Sequence, residues 1–429
     1  MQQLKLTKDQ IKASNQYIEK PLNFSQVGAG KTAMALQAFK NSGCNKLLVV
    51  CLATKVEDWH EDGMKQNLII TPALGSPQKR AKAFKSNLVS ISFESSWRTA
   101  ELTTWLDKDT FVVFDEAHKL KNPSSRVSKY WLSHFRKVKH VYLLTGSPIT
   151  NGKYEEYFTY LKLTKLYKGS KTSFENEYTI KETSYIGSRG FKVIVGYKNI
   201  DTLNGLIKSH SVAIKRHSEL IPNHIILKVP EPKAFKQLAT KRMYKDDNGE
   251  VIALDNSSLL YNALRRVMSG SVKGIAKPVS KAKLERVRDI LESSPDEKVV
   301  IFYNYNTEYE ILKPFIESLK RPLAVYNGSV KDLSNWEQDR AVALVHYKSG
   351  STGLNNFSDS HIMIHYSVPN SSTALIQSQG RITRHTSTQD PIYYYLLCDN
   401  ELDREIYNTI KSGKDINDTL IESLLTKTL

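Results

Sequence analysis

The sequence predicts an α/β protein of two tandem lobes, each a mostly parallel sheet flanked by helices. Three observations predict it. Short apolar runs recur without polar alternation, as strands buried on both faces require. Amphipathic stretches of helical period separate them. The pattern occurs twice, on either side of a polar segment, in a chain of 429 residues, which is long enough for two or three domains.

The first set of runs is LLVVCLA (47–53), LVSISF (88–93), FVVFDE (111–116) and VYLLTGS (141–147). The second is VVIFYN (299–304), LAVYNG (323–328), AVALVHY (341–347), HIMIHYS (361–367) and IYYYLL (392–397). Segments such as TAMALQAFKN, AKLERVRDILESS and TEYEILKPFIESLK read as the covering helices. Residues 165–275 are polar, rich in Lys, Ser and Tyr, and read as a helical and loop insert between the lobes. The expected division is 1–222, with a helical extension from about 165, and 223–429.

Composition narrows the class. Hydrophobic residues are 40% and charged residues 24%, as in an ordinary globular protein. No apolar run has a membrane-spanning length, and MQQLKLTKDQIKASN lacks the apolar core of a signal peptide. Cys44, Cys51 and Cys398 are scattered, which argues against a disulfide scaffold or zinc site and fits a reducing, intracellular compartment. Lys and Arg outnumber Asp and Glu by 61 to 44, a net charge of +17. A polyanion, most simply nucleic acid, is the partner this balance suits.

Three stretches carry chemistry. SQVGAGKT, Ser25 to Thr32, precedes a helical pattern. Gly28, Ala29 and Gly30 suit a loop whose N–H groups turn inward around phosphate, at the positive end of a helix. Lys31 would reach the β- and γ-phosphates, and Thr32 would ligate Mg²⁺. Ser25 stands where the first glycine of the usual phosphate-loop pattern would be. In VVFDEAHKLKNPSS a buried strand ends in two acids, Asp115 and Glu116. Such charge needs a cation to meet it. Asp115 would hold Mg²⁺, and Glu116 would polarise the attacking water. Read alone the pair is an acidic turn; downstream of GKT it is a hydrolytic site. QSQGRITRH supplies Arg381 and Arg384 at i,i+3, which on a helix share one face, for stabilising the transferred phosphoryl group.

In this order the three stretches resemble superfamily 2 nucleic-acid-dependent ATPases, and more closely the Swi/Snf-like branch of duplex DNA translocases. The similarity spans nearly the whole chain. Gln10, in LTKDQIKA, resembles the upstream glutamine that contacts adenine. VEDW (56–59) resembles the family's L-x-x-W segment, so Trp59 is either a core residue or a nucleic-acid contact. DEAHKLKN with Ser125 is the most specific match, and LTGSPITN (144–151) resembles LTGTPLQN. IKRHSELIP (214–222) matches loosely. SGSTGLNN (349–356) resembles motif V and QSQGRITRH motif VI, with Gly380 where this branch usually has Asp.

The resemblance implies two RecA-like lobes that close on Mg-ATP, with Lys31, Thr32, Asp115 and Glu116 from one and Arg381 and Arg384 from the other. It implies coupling through His118, Thr145, Ser147 and Gln377. It implies nucleic-acid contacts at Trp59, Lys121, Asn122, Gly350, Gly353 and Asn355, and double-stranded DNA as the track. A monomer away from membranes, in a prokaryotic or viral setting, is the expected form. A strand-separating or annealing helicase on forks or RNA, and a partner-dependent assembly factor, are the alternatives.

Overall fold

The computed structural model describes residues 6–186, 189–215, 220–350, 357–383 and 387–428. The chain forms two compact units, Met1–His217 and Ser218–Leu429, against the division at 222 expected from sequence.

In the first unit the strands are β1 (Leu22–Asn23), β2 (Lys46–Cys51), β3 (Thr71–Ala73), β4 (Leu88–Ser92), β5 (Thr110–Asp115), β6 (His140–Leu144), a hairpin of β7 (Thr179–Ile186) and β8 (Arg189–Tyr197), and β9 (Ser211–Val212). Seven of them make one parallel sheet in the order β3-β4-β2-β5-β6-β1-β9. Alternate residues feed two cores. Leu48, Val50, Val112 and Phe114 pack on one face, with Trp131. Leu47, Val49, Phe111 and Val113 pack on the other, with Trp59. The middles of β2 and β5 are therefore apolar on both faces, which made these runs readable.

The second unit contains β10 (Asn223–Val229), β11 (Met243–Lys245), β12 (Val251–Ala253), β13 (Val299–Tyr303), β14 (Leu323–Tyr326), β15 (Lys331–Asp332), β16 (Val342–His346), β17 (Ile362–His365) and β18 (Ile392–Cys398). Its seven-stranded sheet runs β10-β18-β17-β13-β16-β14-β15, parallel except for the short β14–β15 pair. Val300 and Phe302 face one core, and Val299 and Ile301 the other. The α/β class with two parallel sheets thus holds.

The insert reading needs correction. Residues 165–275 are not only helix and loop: they contain the β7–β8 and β11–β12 hairpins, and β10 forms an edge of the second sheet. These strands are exposed on at least one side, so they carry polar residues and lack the doubly apolar signature.

Candidate active site

Strand order builds the first unit's site. β5, β6 and β1 are neighbours, and Asp115, Leu144 and Asn23 are level with one another. All three strands run the same way. Their carboxyl ends therefore deliver DEAH, LTGS and the phosphate loop to one edge, where open α/β sheets bind ligands.

The phosphate loop turns at Gly28 (φ +81°) and Gly30 (φ +77°), in left-handed backbone that favours glycine. Gly30 caps the helix Lys31–Asn41. Ser25, the departure from the usual glycine, is fully buried. Its hydroxyl accepts the Ile214 N–H at 3.0 Å, and its own N–H donates to Asn23 Oδ1 at 3.1 Å. Serine here ties the loop to the sheet edge at β9. The Lys31 ammonium donates to the carbonyls of Ser25 and Gln26 at 2.9 and 3.0 Å. Burial pushes its pKa down, while Glu116 and Asp115 oppose that. Gln10 donates to the Ala29 carbonyl at 3.0 Å and accepts the Thr7 N–H at 2.8 Å. A Cβ on Gly30 would lie 2.6 Å from Gln10 Nε2, so only glycine lets this amide approach.

Asp115 ends β5, and the Trp59 indole N–H donates to its Oδ2 at 3.0 Å. Burial raises the Asp115 pKa, as does Glu116; Lys55, Trp59 and Lys31 pull it back. The sign follows from linkage. A carboxyl raised on folding holds its proton longer when folded, so it costs stability as pH rises above about 4. A divalent cation would relieve that cost. Among the described residues no group of three His, Cys, Asp or Glu side chains is arranged to hold a metal ion. A divalent cation here would therefore need phosphate oxygens beside Thr32 and Asp115, which is how Mg²⁺ is usually held.

Glu116 has φ +57° and ψ +50°, costly for a residue with a side chain and found where function over-determines the backbone. Its Oε2 lies 3.0 Å from His118 Nδ1. That nitrogen lies 3.5 Å from Thr145 Oγ1, which accepts the Ser147 N–H at 3.2 Å. Glu116, His118, Thr145 and Ser147 thus form one connected path between two strand ends.

Several expected contacts lie elsewhere. Trp59 is 1% exposed, so its expected nucleic-acid contact is corrected to core packing and support of Asp115. Lys121 donates to Thr150 Oγ1 at 2.6 Å and pairs with Glu156 at 3.3 Å, which commits it inside the unit. Asn122 is exposed, and its side chain accepts the Ser124 N–H in a tight turn. Gly350 is buried, and any Cβ would collide with Val345, so packing explains it. Gln377 and Arg381 are buried. The helix Ser372–Gln379 ends at Gly380, so Arg381 follows the helix. Arg384, Gly353 and Asn355 lie outside the described residues.

Sequence reasoning missed Asn23 and Lys55. Asn23 is fully buried and bonds both Ser25 and Tyr142. A polar residue at an apolar strand end was its only signal. Lys55 acts on Asp115 electrostatically, and nothing in its local sequence marks it.

Trp59→Phe keeps an aromatic ring but deletes the donor and part of the buried bulk. A hydrogen bond to a charged group contributes about 1.5–3 kcal/mol. The variant should melt lower in thermal denaturation by that order. An unchanged melting temperature would remove Trp59 from the support of Asp115.

Residues 22–218 match the SNF2-related domain, and residues 282–386 match the helicase conserved C-terminal domain. The two matches together take in more than half of the chain, and the chain is a Swi2/Snf2 ATPase core homologue of helicase superfamily 2: an ATP-dependent helicase/ATPase of the SNF2 family. In sequence it is similar to the "Uncharacterized ATP-dependent helicase YqhH" of Bacillus subtilis (strain 168), 24% identical over 419 residues, 89% of this chain and 72% of that protein. The structure of the Sulfolobus solfataricus SWI2/SNF2 ATPase core in complex with dsDNA is similar over 99% of this chain and 94% of that one, at 16% identity and a TM-score of 0.42. Among the described residues no helix is long and apolar enough to cross a membrane.

Proposed function

We propose that the chain is a duplex-DNA translocase that couples Mg-ATP hydrolysis to movement along the backbone. The connected path from Glu116 through His118 to Thr145 and Ser147 carries this reading, because it ties the hydrolytic turn to a neighbouring strand-end loop. Lys31 and the loop N–H groups hold the β- and γ-phosphates. Gln10 flanks the loop where adenine would be read. Glu116 orients the water and takes its proton. Arg381 and Arg384 stabilise charge on the transferred group. Mg²⁺, held through Thr32 and Asp115, supplies neutralisation of the phosphate oxygens. His118, Thr145, Ser147 and Gln377 pass the nucleotide state on. The excess of cations suits phosphate contacts without strong sequence preference.

Displacement of a third strand from a triplex separates translocation from unwinding. ATP should release the third strand while leaving the duplex paired. Separation of forked strands with no triplex release would favour the helicase alternative. Arg384→Ala should lower kcat by about 10²-fold with little change in KM. Equal losses of turnover and affinity would assign it to uniform binding instead.

A further inference from the structure

The β7–β8 hairpin is not used by the ATP site. Among the described residues it pairs only with itself, and just before its last pair, Ile186 with Arg189, Tyr185 stands opposite Gly190 and Ser184 opposite Phe191. Adjacent pairs point to opposite faces of a ribbon, so the two rings lie on opposite faces near its end. The Tyr185 ring leans over Gly190: a Cβ there would be 3.1 Å from its Cε1. Tyr185 is 68% exposed and Phe191 42%. Ile180, Val193 and Val195 extend the exposed apolar surface.

An isolated two-stranded hairpin is marginal in water, and this one is fixed at its base. Lys181 pairs with Glu175 at 2.6 Å, Tyr197 donates to Glu155 at 2.6 Å, and Asn199 Nδ2 donates to the Glu177 carbonyl at 2.8 Å. The result is a held stem with an aromatic ring on each side of its far end. Its surroundings are basic: residues 162–198 carry eight Lys and Arg against three Glu, a net +5. That charge matches a polyanion and opposes a basic protein partner.

We infer that this hairpin is a wedge for unpaired bases at a junction between duplex and single-stranded DNA. The two-sided placement decides between the ways a ribbon can meet DNA. A ribbon lying in the major groove reads base edges with one face. Rings on both faces suit insertion between bases already unstacked, where each ring meets a π-face. Blunt duplex offers few such faces; a fork offers them at its branch. The inference rests on the nucleic-acid reading above and adds a preferred DNA structure to it.

The test is the ratio of Kd values for blunt and forked DNA of equal length, at fixed salt, using the full chain. Wild type should favour the fork by about tenfold or more, the order of one stacked base. In the Tyr185→Leu, Phe191→Leu double variant, which keeps apolar bulk on both faces, the ratio should fall toward one. The Tyr185→Phe variant, which keeps the ring, should retain it. Measuring a ratio removes any general loss of folded protein. A wild-type ratio near one with tight blunt-duplex binding overturns the wedge and leaves the nucleic-acid reading standing. No binding to either DNA overturns both. A fork preference that survives in the double leucine variant also overturns the wedge.

Discussion

Lys31→Ala is expected to reduce ATP turnover by at least about 10²–10³-fold while the protein stays folded. The ammonium's hydrogen bonds in the structure go to two carbonyls of its own loop, not to a core element. Its burial lowers its pKa, so folding gains little from keeping it charged there. The same burial strengthens its field on a bound phosphate, because little water screens it. Alanine removes the cation but leaves Gly28 and Gly30 to shape the turn. Steady-state turnover with a circular dichroism melt separates the two effects. Normal turnover would refute the phosphate-loop assignment, and an unfolded variant would assign Lys31 to stability.

Glu116→Gln should bind ATP normally and stall hydrolysis, with turnover lower by about 10²–10⁴-fold, the usual contribution of a general base. Glutamine keeps the size of the side chain and can still meet His118, which lies 3.0 Å from Glu116 Oε2. What it loses is the capacity to take a proton from water. It also removes a negative neighbour that raises the Asp115 pKa. Asp115 should therefore ionise more readily, and nucleotide affinity in Mg²⁺ should hold or rise. Fluorescent-nucleotide binding alongside turnover checks both halves. Loss of ATP binding would mean that Glu116 shapes the pocket rather than the chemistry.

How far the sequence could be read depended on how local each feature was. The phosphate loop and DEAH were legible because each is contiguous, and because parallel pairing brings the strand ends together. Nine strands were legible because both faces are buried, as at Val300 and Val299. β1 and β9, two residues each, were not: their role is to place Ser25 against Ile214, 189 residues away. The fates of Trp59 and Lys121 were equally hidden. Each depends on a distant partner, Asp115 for one and Thr150 with Glu156 for the other. Spacing suggested a helical Arg381, but the helix ends at Gly380. The β7–β8 hairpin escaped because it has no buried face to impose a pattern.

Coupling of ATP hydrolysis to duplex DNA is the central claim, and ATP turnover at fixed salt tests it most directly. Four conditions suffice: no nucleic acid, duplex DNA, single-stranded DNA and RNA. The account predicts strong stimulation by duplex DNA and weak stimulation by the other two. Stimulation mainly by single strands or RNA, or by none of the three, would contradict it.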